Sequence, residues 1–408
     1  MISKIMIDTE VLIIGGGPVG AVLAGLLGMS GMECTLVTRR TDNGPGMSAE
    51  RDPRVLALTL ASRQILRRLH AWDRIPAAQL GRFSHMYVCD DNGNGKIEFE
   101  SGELGEDTLG YIVEQQLLQE TLDRIIEYMP PVTLLVNDGP QSVSDSHSSV
   151  TVNFDDRSIS AKLLVAADGA HSRTRDLLGI DYRVHDYRQS AVACLVNTAR
   201  PHGNCARQRF LKTGPLALLP MPAIDQCGIV WSTDPGHARQ LMDMDNEIFS
   251  QALRTASADM LGALTLCSAR RSFPLQRAQA RTYIGHRAVL VGDAAHSVHP
   301  LAGQGANLGL LDAASLAEVL LEARQRQRDV GMIRTLRRYE RWRKGENRLM
   351  MMVFEGFKYL FENQLIPVPQ LRNMGLNVVN NNSYMKHFFM RRAMGLVGDL
   401  PACARINC

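Results

Sequence analysis

The chain has 408 residues, 45% of them hydrophobic, and a formal net charge of +3. That length supports a large core and two interleaved domains, and the charge is too small to point to nucleic acid. The eight cysteines are dispersed, with no CxxC and no Cys/His cluster, which argues against a disulfide framework or a metal site and fits a reducing cytosol.

Val11 to Met29 is apolar, yet Asp8 and Glu10 precede it and Gly15-Gly16-Gly17-Pro18 interrupts it, so it is neither a membrane span nor a signal peptide. Val11–Ile14 predicts a strand and Val19–Met29 a helix. Between them Gly15, Gly17 and Gly20 form G-x-G-x-x-G in the strand-turn-helix context that gives the motif meaning: a tight turn, room for a pyrophosphate, and close helix packing. Cys34–Val37 predicts the second strand. An acid is expected at its end to hold a ribose, but Thr38-Arg39-Arg40 stands there. Either this triplet cradles a 2′-phosphate, or the nucleotide is FAD and Thr38 or Arg39 contacts its ribose more weakly.

Arg54 follows a polar loop and is a candidate for pairing with a pyrophosphate, although a solvated arginine is the simpler reading of that stretch. Ser62–Leu69 predicts an amphipathic helix. Trp72–Glu100 mixes short strands with a hairpin turn at Asp90–Gly95. Tyr111–Gln116 is read as opening a helix to about Met129, with Gln115 a candidate for a ribose hydroxyl or an exposed helix residue. Leu163–Ala167 predicts a buried strand ending in Asp168-Gly169. Residues 182–282 alternate apolar runs with Pro and Gly turns, which predicts a mainly antiparallel sheet.

Arg287–Val291 predicts another buried strand, ending at Gly292-Asp293, and a Leu- and Ala-rich helix is expected from about Gly305. Asp293 thus sits at a strand's carboxyl end, where open α/β sheets bind ligands, and can accept hydrogen bonds from a sugar-like hydroxyl. Gly303 and Gly305 allow backbone N–H groups to approach a ligand, and the helix start favours negative charge.

The ordered triple of G-x-G-x-x-G, Asp168-Gly169 and Gly292-Asp293 resembles the single-component FAD-dependent aromatic hydroxylases over essentially the whole chain. Glu114-Gln115-Gln116, Gly214–Pro220, His299–Gly309, Tyr339-Glu340-Arg341, Arg343, Asn347, residues 372–376 and Ala393-Met394-Gly395 narrow the likeness to the ubiquinone-biosynthesis hydroxylases. The resemblance implies an α/β fold in which a Rossmann-like FAD-binding domain (1–75, 109–181 and 283–345) is interleaved with a mainly antiparallel β-sheet substrate domain (76–108 and 182–282). A helical C-terminal region (346–408) follows.

It also implies a reaction: NAD(P)H reduces FAD, O2 adds to give a flavin hydroperoxide, and the distal oxygen attacks the ring of a polyprenylated phenol. The implied cofactor-binding residues are Gly15, Gly17, Gly20, Thr38, Arg39, Arg54, Gln115, Asp168, Asp293, Pro300, Gly303, Gly305, Ala306 and Asn307. The chemistry requires no dedicated acid–base residue and none is assigned. His299 and Pro300 are the candidates nearest to it, while His296 and His299 read more simply as packed or hydrogen-bonded loop histidines. Thr38 departs from the family's usual acid, and Gln115-Gln116 from a common Asn-Arg pair.

Phe210, Leu216, Leu218 and Trp231 suit a substrate ring and tail, or else the packing of their own sheet. A Met- and Phe-rich run at 349–361 suits an irregular ligand or a core. Met385–Val397 combines an apolar face with Lys386, His387, Arg391 and Arg392, so it is expected either to lie on anionic lipid or a partner of the biosynthetic complex, or to pack on the flavin domain. Cytoplasmic placement, with peripheral contact at the inner membrane, follows from that lipid-facing reading. Competing activities are a flavin halogenase, which the isolated Trp72, Trp231 and Trp342 disfavour, a prenyl-lipid reductase, and a non-catalytic FAD-binding scaffold.

Overall fold

The computed structural model describes residues 5–39, 52–91, 95–298, 304–362, 375 and 377–406. The first strands and helices are β1 (Ile5–Ile14), α1 (Pro18–Met29), β2 (Cys34–Thr38), β3 (Val55–Leu58), α2 (Leu60–Arg68), β4 (Gly81–Phe83), β5 (His85–Asp90) and β6 (Lys96–Glu100). They continue with β7 (Gly110–Glu114), α3 (Gln115–Glu127), β8 (Val132–Val136), β9 (Ser142–Asp145), β10 (Val150–Asn153), β11 (Arg157–Ala166) and α4 (Arg173–Leu177).

A parallel sheet runs β8-β2-β1-β11-β19, with β19 at Ala288–Leu290. The antiparallel strand β18 (Ile284–Gly285) lies at one edge, and β9 and β10 form a hairpin on β11. Taken in chain order of its parallel strands, the sheet reads 3-2-1-4-5, so the connections change direction between β1 and β11. That is where a doubly wound sheet opens a ligand crevice at its carboxyl ends. β1 begins exposed and ends in the fully buried Val11–Ile14, as a strand covered on both faces should. Helix α1 is nearly all apolar and is buried from Gly20 to Gly28.

The second sheet is built from β12 (Tyr182–Thr198), β13 (Cys205–Leu211), β14 (Gly214–Pro220), β15 (Gln226–Thr233), β16 (Leu264–Leu266) and β17 (Arg271–Ala280). β5 and β6 join it through β13, and β20 (His296–Ser297) joins it through β17. All pairs are antiparallel except β13 with β5. One face is covered by two helices not foreseen from the sequence, α5 (Pro235–Asp243) and α6 (Asn246–Ala256). Leu216, Leu218 and Trp231 pack there against Leu241, Phe249 and Leu253. Phe210 packs with Val88 and Ile97. These four residues are therefore sheet core, and the period of two turns Leu195 and Met221 to the other face, against Ile112.

Tyr111–Glu114 corrects another expectation. The segment is strand β7, held between β3 and β4, and the helix begins one residue later at Gln115. A short β-branched run with partners on both sides gains more as a strand than as a first helical turn.

Among the described residues the chain continues with α7 (Gln304–Gln325), α8 (Ile333–Glu362) and α9 (Ser383–Ala393). Helical residues ahead of α9 cover the edge of β6, where the Lys96 and Glu98 amides donate to the side-chain oxygens of Asn377 and Asn380 at 3.4 and 3.0 Å. An uncovered edge strand is a template for aggregation. Asn380→Ala should cost about 0.5–1 kcal/mol in urea unfolding and raise the aggregated fraction on heating. Unchanged stability and solubility would show that this cover does not protect the edge.

Candidate functional site

Four loops meet at the carboxyl edge of the parallel sheet. Gly15 ends β1 with φ +117°, and a Cβ there would fall 2.3 Å from the Ala167 carbonyl oxygen at the end of β11. A Cβ on Gly20 would fall 1.9 Å from the Gly15 carbonyl oxygen. Both positions therefore require glycine for the turn itself. Gly17 differs: its φ is −63°, and a Cβ there would meet nothing within 4 Å. It caps α1 without any side-chain hydrogen bond, and the first turn of α1 carries no acid. Open, uncapped amides at a helix N-terminus are what a phosphate needs. The loop is braced from α3, where Gln119 Nε2 donates to the Gly16 carbonyl at 2.8 Å.

Thr38 lies at the end of β2 beside Gly16, whose Cβ would meet Thr38 Oγ1 at 2.4 Å. Thr38 thus stands beside the glycine turn at the carboxyl end of β2, with Arg39 exposed next to it. Arg54 is exposed and forms a two-point ion pair with Asp52, with nitrogen–oxygen distances of 2.9 and 2.6 Å. Its carbonyl accepts from the Gln115 amide at 3.0 Å, which places these two candidates side by side.

Asp168 caps α4. Its carboxylate accepts from the Ser172 hydroxyl and, at 3.0 and 2.9 Å, from the Thr174 amide and hydroxyl. Gly169 takes φ +84° to make the turn. The buried Arg175 links this turn to the next one: its Nη1 reaches the Ala170 carbonyl at 3.0 Å and the Ala294 carbonyl at 3.4 Å. Its guanidinium lies 3.6 Å over the Tyr182 ring, and the Tyr182 hydroxyl donates to the Asp293 carbonyl at 2.9 Å.

Asp293 follows β19 in a one-turn helix, Gly292–Ala294. Its surface is exposed, yet protein crowds it closely enough that desolvation raises its carboxyl, against the pull of His296 and with a small push from Asp312. An exposed carboxylate with protein walls around it suits a ligand crevice.

At the start of α7 the backbone of Gly305 and Ala306 is partly exposed. The Asn307 side chain is buried and committed elsewhere: its Oδ1 accepts from the Thr59 amide at 2.9 Å and the Ser62 hydroxyl at 2.7 Å, and its Nδ2 donates to the Ala57 carbonyl at 2.7 Å. The Asn307 side chain thus serves the packing of α7 on β3 and α2. His299, Pro300 and Gly303 lie outside the described residues.

His296 is 1% exposed and donates from Nε2 to Asp312 at 2.5 Å. Asp312, wholly buried on α7, also accepts from Arg343 and Asn347 of α8. Burial pushes this carboxyl up, but the His296 and Arg343 charges outweigh it and hold it well below the usual range. Gln119, Tyr182 and Asp312 were missed from the sequence. Asp312 was the most legible of them, as an acid inside the Leu- and Ala-rich run that predicts α7.

The site residues fit an FAD: glycines for the pyrophosphate, an acid at the ribityl turn and an open helix start. Fold and site together define a flavoprotein of the monooxygenase class. A sequence profile described as "FAD binding domain" matches residues 8–349. The chain is 35% identical to the uncharacterised protein slr1300 of Synechocystis, covering 97% of this chain and 95% of that one. It is 33% identical to ubiquinone hydroxylase UbiL of Rhodospirillum rubrum, covering 97% and 92%. To the 3-demethoxyubiquinol 3-hydroxylase of Escherichia coli it is 32% identical, covering 95% and 99%. Among solved structures, p-nitrophenol 4-monooxygenase PnpA of Pseudomonas putida shares the fold at a TM-score of 0.76 and 19% identity, covering 96% and 98%. The chain belongs to the FAD-binding monooxygenase family that contains the ubiquinone-biosynthesis hydroxylases.

Gly17→Ala separates the loop's ligand role from its fold role. The free Cβ leaves the apoprotein's melting temperature unchanged, while crowding of the pyrophosphate should weaken FAD binding about tenfold, or about 1.4 kcal/mol. Titration of apoprotein with FAD, followed by flavin fluorescence, reads this directly. Unchanged affinity would place the pyrophosphate elsewhere.

Proposed function

We propose that this protein is an FAD-dependent monooxygenase that uses NAD(P)H and O2 to hydroxylate the aromatic ring of a polyprenylated phenol on the way to ubiquinone. The observation that carries the proposal is the convergence of the Gly15 turn, Asp168 and Asp293 at the carboxyl edge of a 3-2-1-4-5 sheet, in a chain about one-third identical to ubiquinone hydroxylases over nearly its whole length. When bound, FAD supplies the redox and oxygen chemistry. The chain supplies the binding and orientation. The Gly15 amide is taken up by the Val37 carbonyl at 2.8 Å, so the amides of Gly16, Gly17 and the α1 start would hold the pyrophosphate. Asp293 would accept from the ribityl hydroxyls. The amino end of α7 would favour negative charge on a flavin ring bound beside it. The face of the second sheet that carries Leu195 and Met221 packs on Ile112 of β7 and so fixes the substrate sheet against the flavin side.

The division into a flavin domain (1–75, 109–181, 283–345), a substrate domain (76–108, 182–282) and a helical region (346–408) belongs to this reading. It is supported by β5 and β6 extending the antiparallel sheet. Deletion of the gene should make a polyprenylated intermediate lacking one ring hydroxyl accumulate, as read by mass spectrometry. A normal quinone profile in the deletion strain would overturn the assignment.

A polyprenylated substrate resides in lipid, and among the described residues no helix is long and apolar enough to cross a membrane. We propose that the protein meets the membrane peripherally through α9. Two of the basic residues are not free for this role as the sequence suggested, whereas Arg391 is exposed. Lys386 pairs with Glu103 at 2.5 Å, and Arg392 with Glu346 at 2.9 Å. Reversing their charges would therefore break the fold's own contacts. The outward surface is instead apolar: Val378 is 50% exposed, Tyr384 85%, Met385 38% and Phe388 54%, while Met390 and Met394 are buried against Leu60 and Leu109. Tyr384→Ser with Phe388→Ser should lower retention on phosphatidylglycerol vesicles several-fold and leave FAD content and melting temperature intact. Retention that survives both changes, or is absent in the parent protein, would remove α9 from the membrane role.

A further inference from the structure

The carboxylate of Asp312 is the meeting point of four donors. Oδ1 accepts from Arg343 Nε at 2.8 Å and Asn347 Nδ2 at 3.0 Å. Oδ2 accepts from His296 Nε2 at 2.5 Å and from the Gly292 amide at 3.2 Å. Arg343 Nη2 closes the ring by donating to Asn347 Oδ1 at 2.9 Å. All four side chains are at most 2% exposed. Such a group is expensive to bury, and apolar residues of similar volume would stabilise a core at least as well. Its location points to a task that apolar residues cannot perform.

The four donors come from three elements that have to be held in mutual register. Gly292 opens the turn that carries Asp293, with φ +58°. His296 begins β20, which pairs with β17 through Gln279 and leads into the segment before α7. Arg343 and Asn347 belong to α8, and Tyr339 of the same helix donates to the Leu290 carbonyl at the end of β19 at 3.0 Å. The His296 ring is clamped further by stacking on Tyr283, with centroids 5.8 Å apart. Asp312 therefore fixes, from one rigid helix, both ends of the short stretch that holds Asp293.

We propose that His296 and Asp312 form a positioning pair for the flavin's ribityl end, holding the Gly292–Asp293 turn and β20 at the spacing at which the Asp293 carboxylate meets the ligand hydroxyls. This rests on the assignment of Asp293 to FAD made above. Neither residue touches the ligand. What the pair requires is a single donor at the position of His296 Nε2, aimed at Asp312 Oδ2.

That requirement makes the pair testable by donor position. A glutamine amide reaches the Nε2 position, whereas an asparagine amide reaches only the Nδ1 position. Apoproteins of the parent, His296→Gln, His296→Asn and His296→Leu are titrated with FAD, and the visible absorption spectrum of the bound flavin and the apoprotein melting temperature are recorded. The proposal expects His296→Gln to bind FAD within about threefold of the parent with an unchanged spectrum. It expects His296→Asn, and His296→Leu where it folds, to bind at least tenfold more weakly with a shifted spectrum. Where His296→Leu does not fold, the Gln and Asn variants decide between them. Equal FAD affinity and identical spectra in the Gln and Asn variants, whatever their melting temperatures, would overturn the positioning role and leave a core contact. A parent apoprotein that binds no FAD would instead overturn the assignment of Asp293 itself.

Discussion

The structure depends on a close approach of backbones at the carboxyl edge of the parallel sheet. At Gly15, Gly20 and Gly309 even one extra carbon would lie closer than 3.0 Å to a neighbour: the Ala167 carbonyl, the Gly15 carbonyl and the Val19 side chain. At Gly292 it would meet Val19 at 3.2 Å. Strands β1, β11 and β19 and helices α1 and α7 therefore converge with almost no side-chain padding. The consequence is functional. Where backbones come together this tightly, the chain's own amides and carbonyls, and the few side chains at the rim, become the surface that a ligand meets. Thr38, Asp168 and Asp293 occupy that rim because the strand order changes direction there.

A packed glycine edge would be soft without something to hold the loops that leave it, and buried polar side chains do the holding. Arg175 bridges the Asp168 and Asp293 turns through two backbone carbonyls and a Tyr182 ring. Asn307 ties the start of α7 to the amino end of α2 through its Oδ1 and to β3 through its Nδ2. Asp312 ties the Asp293 turn to α8. In each case a charged or amide group far from solvent joins segments distant in sequence. Loss of one partner would strand the others without hydrogen bonds, which gives the site a defined geometry before any ligand arrives. Helix α8 also reaches the second sheet, where Arg277 of β17 pairs with Glu355. The C-terminal helices thus touch both sheets as well as the Asp293 turn.

Much of this was legible because it is local. The glycine spacing, the apolar strands before Gly15, Asp168 and Gly292, and the alternation in residues 182–282 each follow from a short window, and the structure places them as elements of the expected type. Information about which face a side chain takes was not legible. Leu216, Leu218 and Trp231 suit a ligand wall by composition, but α5 and α6 cover them. Those two helices carried their own signal, Asp234 capping the Pro235 start and Asp245 preceding Asn246, which the surrounding strand pattern obscured. Lys386 and Arg392 read as a lipid-facing cationic stripe, because their acidic partners lie about 283 and 46 residues away along the chain. Tyr111–Glu114 read as a helix start, because its two strand partners are likewise remote.

The central claim is that this site directs an oxygen atom from O2 onto an aromatic ring. The most direct measurement supplies the FAD-loaded protein with NAD(P)H and a short-chain prenylated phenol under isotopically heavy O2 in ordinary water, and determines the mass of the product. The expected product is ring-hydroxylated and carries one heavy oxygen atom. An oxygen drawn from water, a product reduced in its prenyl tail, or an unchanged phenol beside a reducible flavin would contradict it.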